Sequence, residues 1–245
     1  MNSLASLLTP EVLARMTPAE RAEVDHLLQT DPVRWRPLPG PQTLAVGSEA
    51  DIIGFGGAAG GGKTDLALGL GINSHQRIGF FRQHGTELVA VIDRIGEILG
   101  NRDGWNGGDR VWRAHRHDGV PLQIELGSFP YAGDETKYQG RPHDLLVFDE
   151  ASNMREHAVR FLLGWLRTVD PMQRCRALIN FNPPTDVQGR WVVRFFAPWL
   201  DKHHPHPAQP GELRWFAVVD GKDTEVANGE PFTCNGEVII PSSRT

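Results

Sequence analysis

A lysine followed by a threonine closes the glycine-rich stretch GFGGAAGGGKTDLAL (Gly54–Leu68). Within it, Gly57, Ala58, Ala59, Gly60, Gly61, Gly62, Lys63 and Thr64 fit G-x-x-x-x-G-K-[ST], the spacing of a phosphate-binding loop. Glycine reaches the positive-φ conformations that turn successive N–H groups toward one anion, and it has no side chain to block a phosphate. Lys63 is then placed for the β- and γ-phosphates of ATP, and the Thr64 hydroxyl for Mg²⁺. Two carboxylates follow in DLLVFDE: Asp149 ends an apolar run where an open α/β sheet binds ligands and can hold the metal. Glu150, beside it, is placed to orient attacking water and accept its proton.

Four further side chains carry weaker signals. Asn182, in LINFNPP, is held by Pro183 and Pro184 and is a candidate sensor of the γ-phosphate; the alternative is an Asn-Pro turn. Gln42, in PLPGPQ, has an amide that donates and accepts at once and so matches the adenine edge, or else it is an exposed linker residue. Arg82 and Arg141 are candidate neutralisers of phosphate charge, with DNA contacts or solvated side chains as the alternatives. Arg141 lies in a glycine- and proline-bracketed loop suited to presentation at a subunit edge. Arg82 ends a strand and is expected to act within its own subunit. The HHPHP run lacks an accompanying carboxylate or cysteine and reads as a solvated loop.

The elements that must hold these residues follow an α/β rhythm. DIIGF is a strand feeding the glycine loop, with a helix from Thr64. RIGFFR is a second strand, and a helix spans Thr86–Leu99, where Leu88, Val91, Ile92, Ile95 and Leu99 recur at helical spacing. A hairpin turns at Asp118-Gly119. DLLVFDE and RCRALINFN are further strands, each followed by a helix, and LRWFAVV and EVIIPS are late strands. The expected fold class is an α/β P-loop NTPase with a mainly parallel sheet covered by helices on both faces. RIGFFR and its helix are expected to set an element between the loop strand and the Asp149 strand, the ASCE-type strand order of ATPases that do mechanical work. Before this domain, Thr9-Pro10-Glu11 and Thr17-Pro18-Ala19-Glu20 each predict a helix start, the second with a capping box. This small N-terminal helical appendage (1–35) is joined through an extended strap, Asp31–Gln42, in which prolines forbid helix.

Composition agrees with a folded protein: 245 residues, 40% hydrophobic and 22% charged. The net charge of −5 excludes a uniformly basic nucleic-acid binder but leaves room for a local basic groove. Two cysteines, Cys175 and Cys234, make no disulfide framework and read as thiols. No apolar run reaches membrane-spanning length, so no membrane partner and a cytoplasmic location are expected.

PGPQ…ADIIGFGGAAGGGKT, YQGRPHDLLVFDEAS, NFNPP and PSSRT, in this order, resemble the ATPase half of the large terminase subunit, the motor that packages double-stranded DNA into tailed-phage capsids and related particles. The resemblance runs from Arg36 to Thr245. It implies Gln42 as the adenine-side glutamine, Lys63 and Thr64 as the phosphate loop, Asp149 and Glu150 as the metal and water carboxylates, and Asn182 as the coupling residue. It also implies ATP and Mg²⁺ as cofactors. Double-stranded DNA, a portal protein and a small terminase subunit are its implied partners, in a homo-oligomeric ring at the procapsid. Members of that family carry a C-terminal nuclease domain whose acidic cluster this sequence lacks, and PSSRT resembles the junction to it; a P-loop ATPase domain over 36–245 without nuclease activity is expected. A helicase-like or other remodelling ATPase would normally add a second motor lobe, and a non-hydrolytic ATP-binding assembly module would not need Glu150.

Overall fold

In chain order, the computed structural model, which describes residues 12, 15–30 and 33–245, first forms helix α1 (Pro18–Thr30). Thr17 caps it as the sequence predicts: Glu20 N–H donates to Thr17 Oγ1 (3.3 Å) and Thr17 N–H to Glu20 Oε2 (2.7 Å). The helix start expected at Thr9–Glu11 lies outside the described residues. The strap ends in a turn at Pro39-Gly40, because Pro41 occupies the first turn of helix α2 (Pro41–Gly47). Proline is at home there, where its missing N–H has no partner to lose. Gln42 therefore sits on a helix and not on a linker.

The main domain then runs β1 (Ile52–Gly56), α3 (Lys63–Ser74), β2 (Arg77–Arg82), a 3₁₀ turn (Gly85–Leu88) and α4 (Val89–Leu99). The expected helix from Thr86 thus opens as a 3₁₀ turn. An inserted antiparallel unit follows: β3 (Trp105–Asn106), β4 (Val111–His115) and β5 (Pro121–Ser128), the last two joined around Asp118-Gly119. Next come β6 (Leu145–Phe148), α5 (Glu156–Leu163), β7 (Arg176–Phe181), and the short helices α6 (Trp191–Phe195) and α7 (Ala197–Leu200). The chain closes with β8 (Arg214–Val219), β9 (Lys222–Val226), β10 (Phe232–Cys234), β11 (Glu237–Ile239) and β12 (Ser242–Arg244).

Ten of these strands form one sheet in the order β3-β4-β5-β2-β6-β7-β1-β12-β8-β9. β5, β2, β6, β7, β1 and β12 are parallel, and antiparallel strands close both edges. One strand separates the loop strand β1 from the Asp149 strand β6, as expected, but that strand is β7 and not RIGFFR. β2 crosses to the far side of β6. The end of the chain also differs from expectation. The EVII segment pairs with Phe232–Cys234 in a separate hairpin, and the polar Ser242–Arg244 is the strand that lies beside β1. Side-chain anchoring explains the choice: Ser243 N–H and Oγ both reach Asp51 Oδ2 at 2.8 Å, and the buried Arg244 stacks on Phe195 and Phe216 and pairs with Asp223.

Period-two alternation splits the core. Leu145 and Val147 of β6 join Leu66, Leu70, Phe80, Val91, Ile95 and Trp112 on one face; Leu146 and Phe148 join Phe81, Phe129, Val159, Ile179 and Phe195 on the other. Each such side chain contributes about 1.5–3 kcal/mol on burial, so covering both faces of β6 anchors the strand that ends at Asp149. The strap is fastened to α3 by Trp35, whose indole lies over Gly69 and whose Nε1 donates to Asp65 Oδ2 (2.7 Å). At the N-terminal edge of the parallel strands, buried Asp144 accepts from Gln76 N–H (3.0 Å), Arg77 N–H (2.9 Å) and His75 Nδ1 (2.9 Å). Arg176 Nε donates to His75 Nε2 (3.1 Å), which makes the ring neutral with its proton on Nδ1. Burial pushes His75 below the ordinary imidazole range against the pull of Asp144, and burial with the charge of Arg174 brings Arg176 down to about 10. Cys175 and Cys234 are free thiols, and among the described residues no helix is long and apolar enough to cross a membrane.

Candidate nucleotide site

Four consecutive parallel strands, β1, β7, β6 and β2, deliver the site to their C-terminal edge. From β1 the chain enters the glycine loop, where Gly60 (φ 81°) and Gly62 (φ 68°) take the left-handed conformation that lets α3 begin at Lys63. Lys63 Nζ folds over the loop and donates to the carbonyls of Gly57 (3.0 Å) and Ala58 (2.6 Å). The ammonium is thereby held over the loop in front of the helix N-terminus, an arrangement that favours an anion.

Asp149, 1% exposed, is the hub. Its Oδ2 accepts from Thr64 Oγ1 (2.9 Å) and from Arg82 Nε (2.9 Å) and Nη2 (2.6 Å). Its Oδ1 accepts from Asn180 Nδ2 (2.9 Å), which also donates to the Lys63 carbonyl (2.9 Å). Asn180 is a residue of the candidate site that sequence reading missed. The available signal was parity: Asn180 shares a face of β7 with Leu178, which packs on the side of α3, so a lone amide in an apolar strand there points at the loop helix.

Glu150 adopts φ 61°, ψ 43°, a left-handed conformation that costs a non-glycine residue on the order of 1 kcal/mol. Its carboxylate stays at the site: Oε1 lies 3.8 Å from Arg82 Nη2, and the side chain remains one-third exposed, open to water. Arg82 thus lies at the centre of the site, bonded to Asp149 of its own chain.

The other expected residues are placed differently. Gln42 is 4% exposed, and both ends of its amide engage backbone: Oε1 accepts from Leu38 N–H (2.8 Å) and Nε2 donates to Gly62 O (3.1 Å). It braces the end of the loop. Asn182 lies past the end of β7, with its Oδ1 buried and unpartnered. Arg141 is not brought to Lys63, Asp149 or Glu150; it precedes β6, whereas Asp149 follows it. Its guanidinium pairs with Glu125 and lies 5.7 Å from the Tyr138 ring centroid, with half its surface exposed. Burial acts to raise the Glu125 carboxyl, but the hydrogen bond and charge of His143 and the charge of Arg141 hold it below the usual range.

Beside Gly56 and Gly57 opens an apolar cavity of about 560 Å³, lined among others by Pro41, Leu44, Phe181, Pro183 and Trp199. That volume lies within the range of small-molecule sites, about 300–1,000 Å³. For Mg²⁺, the donor set is all oxygen, the Thr64 hydroxyl and the Asp149 carboxylate, which suits a hard cation that keeps waters and phosphates as its other ligands. These residues fit the ion.

No protein-family model matches the chain, and no curated protein matches it in sequence. In fold it is similar to the large terminase from a thermophilic bacteriophage, at 17% identity and a TM-score of 0.48, over 60% of this chain and 40% of that one. The same terminase in complex with ATP-gamma-S aligns at 18% identity and a TM-score of 0.43, over 63% of this chain and 37% of that one. The large terminase ATPase domain of Thermus phage P74-26 aligns at 13% identity and a TM-score of 0.46, over 74% of this chain and 80% of that one. The chain spans about 40% of the length of the first of these terminases. At such identities the likeness concerns the fold alone.

Proposed function

We propose that this chain is an ATP-hydrolysing motor domain of the large-terminase kind, which drives double-stranded DNA into a procapsid. The observation that carries the hydrolytic part is the convergence of Lys63, Thr64, Asp149, Asn180 and Glu150 on one edge of the sheet. The loop and Lys63 bind the β- and γ-phosphates. Thr64 and Asp149 would hold Mg²⁺, which neutralises phosphate charge when bound. Asn180 ties Asp149 to the first turn of α3, so the metal carboxylate and the phosphate loop keep one spacing. Glu150 accepts a proton from the water that attacks the γ-phosphorus; the bond from that phosphorus to the β–γ bridging oxygen breaks, leaving ADP and phosphate. The apolar cavity beside Gly57 receives the base.

The coupling to DNA rests on the ordered motifs of the sequence. Double-stranded DNA, a portal protein, a small terminase subunit and a ring of identical subunits belong to this reading, as does action in the host cytoplasm at the portal. In such a ring Arg141 serves a neighbour's γ-phosphate, since its place at the opposite end of β6 keeps it from its own.

ATP turnover with and without double-stranded DNA tests the whole reading. Glu150→Gln retains nucleotide affinity and loses turnover by about 10²-fold or more, because an amide orients water but accepts no proton. Lys63→Ala loses binding itself. Turnover near wild type in E150Q removes the hydrolytic assignment, and unchanged binding in K63A removes the loop assignment.

A further inference from the structure

Arg82 stands where an arginine and a divalent cation compete. Its Nε and Nη2 both donate to Asp149 Oδ2, and Nη2 also reaches Thr64 Oγ1 at 3.2 Å. The Thr64 hydroxyl gives its proton to that same carboxylate oxygen, and Arg82 takes one of the two lone pairs that it could offer a metal. Nη1 is anchored on the Glu87 carbonyl (3.0 Å), and the Arg82 side chain is only 13% exposed. Asp149 is buried, and a buried carboxylate stripped of its counter-charge is heavily penalised. Among the described residues no cluster of three or more His, Cys, Asp or Glu side chains is arranged to hold a metal. Asp149 and Thr64 supply at most two of the six ligands that Mg²⁺ takes, so phosphate oxygens and waters must supply the others.

We propose that Arg82 is a built-in counter-cation for Asp149, which keeps a divalent metal out of the site until a nucleotide brings both metal and compensating negative charge. This inference rests on the phosphate-and-metal reading of the site and extends it to the order of binding: metal enters with the nucleotide and not ahead of it. Two cations within a few ångströms repel strongly in a site shielded from water. Phosphate oxygens remove that conflict, because they offer the displaced guanidinium and the metal anionic partners at once. Glu150, 3.8 Å from Nη2, gives the guanidinium a second resting place on the same side of the site.

Mn²⁺ is the probe, its free concentration read by electron paramagnetic resonance. Without nucleotide, the wild-type chain takes up Mn²⁺ at least about tenfold more weakly than Arg82→Gln, which removes the charge and frees the Thr64 lone pair. Arg82→Lys keeps the charge and stays close to wild type, and adding Asp149→Asn to R82Q abolishes the gain. With the slowly hydrolysed analogue ATPγS, wild type binds Mn²⁺ as well. Equal Mn²⁺ uptake by wild type and R82Q, without nucleotide, overturns the proposal. A second readout needs only wild type: Mg²⁺ alone leaves the melting temperature unchanged, while Mg²⁺ with ATPγS raises it. A rise with Mg²⁺ alone as large as the rise with both overturns the proposal even if R82Q does not fold. Failure of wild type to bind ATPγS removes the nucleotide reading instead, an outcome separate from the comparison of R82Q with wild type.

Discussion

Replacing Asn180 by alanine isolates the link between the metal carboxylate and the loop helix. The wild-type amide is fully buried and donates two hydrogen bonds of 2.9 Å, one to the Lys63 carbonyl and one to the ionised Asp149. A neutral bond contributes about 1 kcal/mol and one to a charged acceptor about 1.5–3 kcal/mol, so the two together amount to about 3 kcal/mol. Against this, Asn180 Oδ1 is buried without a partner, and its removal returns about 1 kcal/mol. Asp149 keeps Thr64 and Arg82, so no charge is left alone. The expected loss is therefore about 2 kcal/mol, or roughly 4–8 °C in melting temperature for a chain of this size. Urea unfolding of wild type and N180A, with matched slopes, measures it. Asn180→Asp should be worse, because it sets a second carboxylate against Asp149 in a shielded site. A loss below about 0.5 kcal/mol in N180A, or an N180D variant no less stable than N180A, would refute the role given to Asn180.

Three other expectations follow from described features. Gly69→Ala would ordinarily favour a helix by about 0.5–1 kcal/mol, but here the new Cβ would fall 1.8 Å from the Trp35 ring, so the variant should lose stability and expose the strap to limited proteolysis; a gain in melting temperature contradicts the packing. Because burial lowers the folded-state value of His75, its stabilising contribution is present above its ordinary value of 6.5 and lost as pH falls below it, by up to about 1.4 kcal/mol per pH unit. His75→Asn should flatten the fall in unfolding free energy between neutral and mildly acid solution, and equal slopes in the two proteins would remove the claim. Arg141→Ala should be inactive alone yet regain ATP turnover when mixed with the inactive E150Q, each supplying what the other lacks; full activity of R141A alone, with only DNA affinity reduced, assigns Arg141 to DNA.

The residues legible in the sequence were those whose meaning is local. Lys63 and Thr64 are fixed by spacing within one loop, and Asp149 and Glu150 by standing at the end of a short apolar strand. Asn180 was not, because its role depends on which face of β7 meets α3, a matter of sheet register. Gln42 was read as matching the adenine edge or as an exposed linker residue; the helix that begins at Pro41 instead buries it with its amide on Gly62. The presence of a strand between β1 and β6 was foreseen and its identity was not, since sequence order carries no record of which later strand returns to the centre. Ser243 and Arg244 were not read as a strand, because theirs is held by hydrogen bonds, an ion pair and stacking, and not by apolar side chains.

The placement of β12 beside β1 bears on how the protein is made. Asp51 and Ser243 bond across a sequence separation of 192 residues, and Gly54 N–H donates to the carbonyl of Thr245 (2.8 Å). On its other side β1 pairs with β7, itself far along the chain. A ribosome releasing this polypeptide therefore extrudes Ile52–Phe55 long before either neighbour exists. The nascent strand, apolar and with both edges open, must wait until β7 has emerged to gain its first neighbour, which calls for a chaperone's shelter or risks pairing with another copy. Such long-range closure also slows refolding from denaturant relative to a helical protein of equal length.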